Sequence, residues 1–183
     1  DHLDIEFIID KKKQVHILQV RNQVIPKKSL KKNNDLIYLE KLEKKINKLQ
    51  LKHYSLFGNT TFFGVMPDWN PAEIIGIKPK PLAVSLYKEL ITDKVWAQNR
   101  KFYGYKDLSQ FNLMTTFYGT PYIDVRIDFN SWIPKELPDR ISDKLVNFYL
   151  NLFKKKKFLH DKIEFEIVFT CLSLNTEKKI NKR

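Results

Sequence analysis

LDIEFIIDKKKQVHILQVR, Leu3 to Arg21, decides how the rest of the chain is understood. Asp4, Glu6 and Ile8 alternate with Ile5, Phe7 and Ile9, the period-2 pattern of a half-buried strand. Val15, Ile17, Gln19 and Arg21 alternate in the same way with His16, Leu18 and Val20. The polar run Asp10-Lys11-Lys12-Lys13-Gln14 between them predicts a hairpin loop. A loop of two residues (Lys12, Lys13) or of four (Lys11 to Gln14) gives one register, with Glu6 opposite Gln19 and Asp4 opposite Arg21. His16 falls on an apolar face in this pattern, as a core histidine would.

Two acids, an amide and a guanidinium therefore share one patch. Mg²⁺ is held by one or two carboxylates together with substrate phosphates, and arginine matches phosphate geometry with two parallel hydrogen bonds. The plainer alternative is a cross-strand Asp4–Arg21 salt bridge on an ordinary hairpin.

The words Asp4-Ile5-Glu6-Phe7 and Ile17-Leu18-Gln19-Val20-Arg21 resemble the end of the nucleotide-binding domain of the phosphoenolpyruvate synthase and pyruvate phosphate dikinase family. The resemblance implies an ATP-grasp fold, with Asp4, Glu6 and Gln19 holding Mg²⁺-ATP and Arg21 at the phosphates. The family usually follows this arginine with proline, where this chain has Asn22, as some dikinases also do.

The chain has 183 residues, 43% of them hydrophobic and 13% aromatic, enough for one ordinary domain or for one domain with a piece of another. No apolar run approaches a membrane span, and no signal peptide opens the sequence. The single cysteine, Cys171, excludes an internal disulfide and a multi-cysteine zinc site. These features predict a cytoplasmic protein. The first residue is Asp, inside a strand motif, which predicts a piece of something longer. The net charge of +12 is carried mostly by lysine in a chain also rich in Ile and Asn. That is the mixture an AT-rich coding sequence produces by drift, and none of the recognised DNA or RNA modules is present. A basic nucleic-acid-binding module is the least favoured of the three functional readings.

Residues 1–26 are assigned to the hairpin, 27–34 to a basic linker, 35–175 to a second domain and 176–183 to a basic tail. Asp35 to Lys52 carries Leu36, Leu39, Leu42, Ile46 and Leu49 at helical spacing. Thr61 to Met66 predicts a short strand. Pro67-Asp68-Trp69-Asn70-Pro71 forces a turn, with Asn70 the cap and Pro71 the first residue of a short helix. Asp68, Asn70 and Glu73 crowd that helix start, where anions are favoured; the alternative is that they satisfy the turn and the cap. Helices follow over Leu82 to Ile91 and Lys94 to Tyr103, the latter carrying Arg100 on an exposed face. Strands are predicted over Leu113 to Phe117 and Tyr122 to Phe129, where Asp124 and Arg126 share an outer face and are placed to pair. A long helix runs from Pro138-Asp139 through Phe153, and Ile163 to Cys171 predicts a last strand.

The blocks GVMPDWNPAEIIGIKPKPLAVSLY, GTPYIDVRIDFNSWIP and LHDKIEFEIVFTC resemble the segment that follows the nucleotide-binding domain in phosphoenolpyruvate synthase-like proteins of bacterial glycan-biosynthesis loci. Asn70 to Leu86 has a fainter likeness to the acceptor-binding middle domain of rifampin phosphotransferases. Members of this superfamily pass phosphate from ATP to a histidine on a mobile domain, and from there to an acceptor. The Thr-Ser-His sequence that marks that domain is not found in this chain.

The expectation is therefore an α/β (α+β) chain: the terminal hairpin of an ATP-grasp lobe, then a middle domain of helices and a small antiparallel sheet. The resemblance implies that it is part of an ATP-dependent phosphotransferase and is inactive by itself. Its cofactors are ATP and Mg²⁺. Its partners are a phosphohistidine domain of the same protein and a small-molecule acceptor, pyruvate by family default or another compound. Asp68, Asn70, Glu73 and Arg126 are the candidates for the acceptor or docking face. The second reading is a non-catalytic binding domain.

Overall fold

A computed structural model describes residues 3–22, 32–65, 67–156 and 162–167. The basic stretch 23–31, His160, Asp161, Cys171 and the tail lie outside them. The chain is α+β and divides into two compact units, Asp1–Glu40 and Lys41–Arg183. Among the described residues no helix is long and apolar enough to cross a membrane.

In the first unit β1 (Leu3–Ile9) and β2 (Val15–Asn22) form an antiparallel hairpin. Asp10 builds the tip. Its Oδ1 accepts hydrogen bonds from the backbone N–H of Lys12 (2.8 Å) and Gln14 (2.9 Å), and Lys13 turns through a positive φ of 62°. The ladder closes at Ile9–Val15, so the loop is the whole run Asp10 to Gln14, one residue longer than the longest expected. A β-bulge at Leu18 absorbs the difference. Glu6 still faces Gln19, and Asp4 still faces Arg21.

The bulge corrects the placement of His16. Between bulge and tip the pairs are Phe7–Ile17, Ile8–His16 and Ile9–Val15. Val15 and Ile17 thus join the apolar face of Ile5, Phe7 and Ile9, and His16 joins the face of Asp4 and Glu6. It is no core histidine: it is exposed, with Nε2 3.2 Å from Asp10 Oδ2.

The second unit is built on α5 (Val125–Asn130), a helix whose six residues are all buried. The sheet beside it has the order β3 (Phe63–Gly64), β5 (Thr120–Asp124), β4 (Met114–Phe117), all antiparallel. Tyr118 and Gly119, both at positive φ, make the two-residue turn from β4 to β5. Ile127 belongs to one apolar cluster with Trp96, Leu113, Met114 and Ile123. Val125 and Phe129 belong to another with Ile133, Val146, Tyr149 and Phe153. The helix α5 therefore lies between two cores.

Around it stand α1 (Lys32–Gln50, whose last turns enter this unit), α2 (Pro71–Ile74), α3 (Pro81–Tyr87), α4 (Val95–Phe102), α6 (Asp139–Lys155) and α7 (Ile163–Ile167). Helix α3 continues into a π-helical turn, Lys88–Thr92.

Two expectations fail here. The strand predicted over Tyr122 to Phe129 stops at Asp124, whose carboxylate caps α5 by accepting from the N–H groups of Arg126 and Ile127. The alternation that suggested a strand continues into a helix whose polar residues are buried as well, so no solvent face marked the change. The last strand is also a helix where it is described: Ile163 and Ile167, four apart, are both about 1% exposed. Residues 168–171 lie outside the described part.

Candidate functional site

The sequence-predicted patch forms on the polar face of the hairpin. Arg21 Nε donates to Asp4 Oδ2 at 2.7 Å. Glu6 and Gln19 sit opposite each other in the next pair of that face. The guanidinium is raised above its ordinary value by the hydrogen bond and charge of Asp4, with a smaller contribution from Glu6.

The salt bridge does not exhaust the groups. Asp4 Oδ1, the Glu6 carboxylate, the Gln19 amide and both terminal nitrogens of Arg21 take no partner among the described residues. Two carboxylates and an amide oxygen are hard ligands of the kind Mg²⁺ accepts when phosphates complete its shell. They are too few for a dedicated protein cage, and no group of three or more His, Cys, Asp or Glu side chains could hold a metal among the described residues. The donor set thus fits a cation brought in with a nucleotide. Asp4 and Arg21 are about half exposed in this unit.

The opposite face is apolar and uncovered by the described part of its own unit. Ile5, Phe7, Ile9, Val15, Ile17 and Val20 are all between 45% and 63% exposed. A hairpin alone is marginally stable in water, and this one presents a complete face for packing.

In the second unit the four acceptor candidates do not converge. Asn70 is a helix cap: its Oδ1 accepts from Glu73 N at 3.0 Å. Asp68 is committed to an ion pair with Arg100 and to the Trp69 N–H. Glu73 is exposed on the first turn of α2. Arg126 is 3% exposed. Its Nη1 donates to the Leu51 carbonyl at 2.8 Å and its Nη2 to the Leu49 carbonyl at 3.0 Å, satisfying the open C-terminal end of α1. The expected Asp124–Arg126 pair is not formed.

Sequence reasoning missed the role of Arg100. It is 9% exposed, with its guanidinium carbon 3.6 Å from the centre of the Trp132 ring and 5.7 Å from that of Trp69. Tyr87 donates its hydroxyl to the Trp69 carbonyl. Burial, then the charge of Asp68, pushes the Tyr87 phenol up to about 12. Trp69 itself sits at a φ of +64°. This is a cation–π lock on the 68–71 turn. Only the pairing of Asp68 with a helical arginine 32 residues later signalled it, and spacing alone does not single out that pair. Asp124 was missed for the reason already given: as a strand residue it looked outward, and as a cap it looks inward.

No family model, no curated protein and no solved structure matches this chain.

Proposed function

We propose that the chain is part of an ATP-dependent phosphotransferase resembling phosphoenolpyruvate synthase, with its hairpin the terminal piece of an ATP-grasp nucleotide site. The observation that supports this reading is the register. A longer tip and a compensating bulge still leave Asp4, Glu6, Gln19 and Arg21 on one face, with groups to spare beyond the salt bridge. Asp4, Glu6 and Gln19 would hold Mg²⁺, and the terminal nitrogens of Arg21 would contact phosphate. When bound, Mg²⁺-ATP supplies the phosphoryl group. A phosphohistidine on another domain carries it to a small-molecule acceptor, pyruvate or another compound, in the cytoplasm. The exposed apolar face is where the remainder of a grasp lobe would pack.

The test uses Mn²⁺-ATP as a paramagnetic stand-in and isotope-labelled protein. Line broadening is expected at residues 4–6 and 19–21, dependent on nucleotide and lost in Glu6→Ala. Broadening that Mn²⁺ alone produces, or that survives Glu6→Ala, returns the patch to a structural salt bridge in a non-catalytic binding domain.

A further inference from the structure

A cavity of about 440 Å³ lies within the second unit, in the size range of small-molecule sites. Its apolar walls are Leu49, Phe63, Val84, Met114 and Ile127. Two charged residues line it as well, Asp124 and Lys88.

Asp124 is 7% exposed, and its two oxygens differ sharply. Oδ1 accepts three hydrogen bonds, from Thr61 Oγ1 at 2.6 Å, Arg126 N at 3.1 Å and Ile127 N at 3.2 Å. Oδ2 accepts none among the described residues. Arg126 offsets part of the charge from a distance, but its terminal nitrogens are bonded to α1 and it makes no side-chain hydrogen bond to Asp124; among the described residues Lys88 forms no ion pair with it either. Desolvation raises the Asp124 carboxyl above the ordinary carboxylate value, against the hydrogen bonds of Thr61 and Ile127 and the charge of Arg126.

The structural duties of Asp124 do not need a charge. A neutral asparagine caps a helix as well as aspartate, and a buried uncompensated carboxylate is costly. Its second oxygen, without a hydrogen bond among the described residues, remains unexplained by the fold, and Arg126 answers its charge only in part. Lys88 supplies the second observation. Its side chain is half-buried and takes no partner among the described residues, and it opens the π-helical turn Lys88–Thr92. Such turns recur at functional sites because the extra residue re-aims the side chains around it.

We infer that this cavity binds a small zwitterion on an apolar body, of the class of an apolar α-amino acid, with its ammonium on Asp124 Oδ2 and its carboxylate on Lys88. An ammonium completes the unfilled oxygen and cancels the buried charge in one contact. A carboxylate answers the ammonium of Lys88, which lines the same cavity, and the side chain fills the space that Phe63, Val84 and Met114 line. A simple amine satisfies only Asp124 and meets repulsion from Lys88. A simple acid satisfies only Lys88 and meets repulsion from Asp124. The inference concerns the second unit alone and stands apart from the nucleotide reading of the hairpin.

Calorimetric titration with L-leucine, L-methionine and L-phenylalanine tests it, with 4-methylpentanoate and 3-methylbutylamine as the leucine skeleton lacking one charge. Saturable binding of at least one amino acid is expected, about tenfold or more tighter than either single-charge analogue. Lys88→Gln should weaken the amino acid about tenfold and, by removing the like-charge repulsion, tighten the amine. Asp124→Asn keeps an oxygen for the three capping bonds, so it should melt no lower than the parent while losing the amino acid. No saturable binding at millimolar concentration overturns the inference. So does an analogue that binds as well as the amino acid, or a Lys88→Gln variant that binds it unchanged.

Discussion

Replacing Arg126 by methionine separates a structural clamp from an anion-binding residue. The guanidinium makes two bonds to backbone carbonyls at the end of α1, at 2.8 and 3.0 Å. Hydrogen bonds from a charged group contribute about 1.5–3 kcal/mol each, so the gross loss is ~3–6 kcal/mol. Part returns, because burial disfavours this charge and lowers the guanidinium below its ordinary value, and methionine fills similar space without it. The net cost is about 3 kcal/mol, or a fall in Tm of about 6–12 °C for a unit of this size. Urea unfolding followed by tryptophan fluorescence measures it. All three tryptophans, Trp69, Trp96 and Trp132, lie in the second unit, so the signal reports that unit alone. Arg126→Lys, which can reach one carbonyl but not two at once, should fall between. If Arg126→Met is within about 0.5 kcal/mol of the parent, the clamp is wrong. An arginine held for a ligand would show that pattern, since removing an uncompensated buried charge does not destabilise the free protein.

Two further outcomes follow from single residues. Gly58 sits at φ +95°, and a Cβ there would stand 2.9 Å from both Leu150 Cδ1 and Val146 Cγ1, whereas Gly104 at φ +87° has open space around it. Gly104→Ala should cost about 1–2 kcal/mol from backbone strain alone, and Gly58→Ala about 2–4 kcal/mol because overpacking is added; urea midpoints compare them directly. Tyr87 should release its proton near 12 in the folded chain and near 10 when unfolded. The fold favours the neutral phenol, so this contribution is complete below about pH 10 and lost as pH rises toward 12. Phenolate absorbance should show a late phase that Tyr87→Phe removes, and Asp68→Asn should bring that phase earlier. A titration that Tyr87→Phe leaves unchanged at its alkaline end contradicts this.

The hairpin was legible because two alternating runs and a charged loop allow few registers. Its bulge was not, since an extra residue at the tip and an extra residue at Leu18 cancel in the pairing of Asp4 and Glu6. Asn70-Pro71 announced its helix start through local chemistry that needs no tertiary context. The segment from Val125 to Asn130 gave no such notice. Amphipathic patterns point to structure only when one face meets water, and α5 is buried on every side. The same holds for Ile163 and Ile167, whose spacing suits a helix, though the alternation around them suits a strand equally well. Arg100 looked like surface because the rings of Trp69 and Trp132 that enclose it come from distant parts of the chain.

The change from strand to helix at Asp124 alters the chemistry as well as the geometry. Two residues apart on a strand, Asp124 and Arg126 would share a face and neutralise each other. At the start of a helix they diverge. The carboxylate folds back to cap its own helix, and the guanidinium reaches the end of α1. Each charge must then be satisfied separately. Arg126 finds two carbonyls. Asp124 takes neutral hydrogen-bond donors, all on one oxygen, feels Arg126 only through its charge, and lines a cavity that Lys88 also lines. A sequence that needed only a cap there could carry asparagine or serine at less cost. The local switch from strand to helix is what leaves the second oxygen of the aspartate without a hydrogen bond among the described residues, and the proposed zwitterion would fill it.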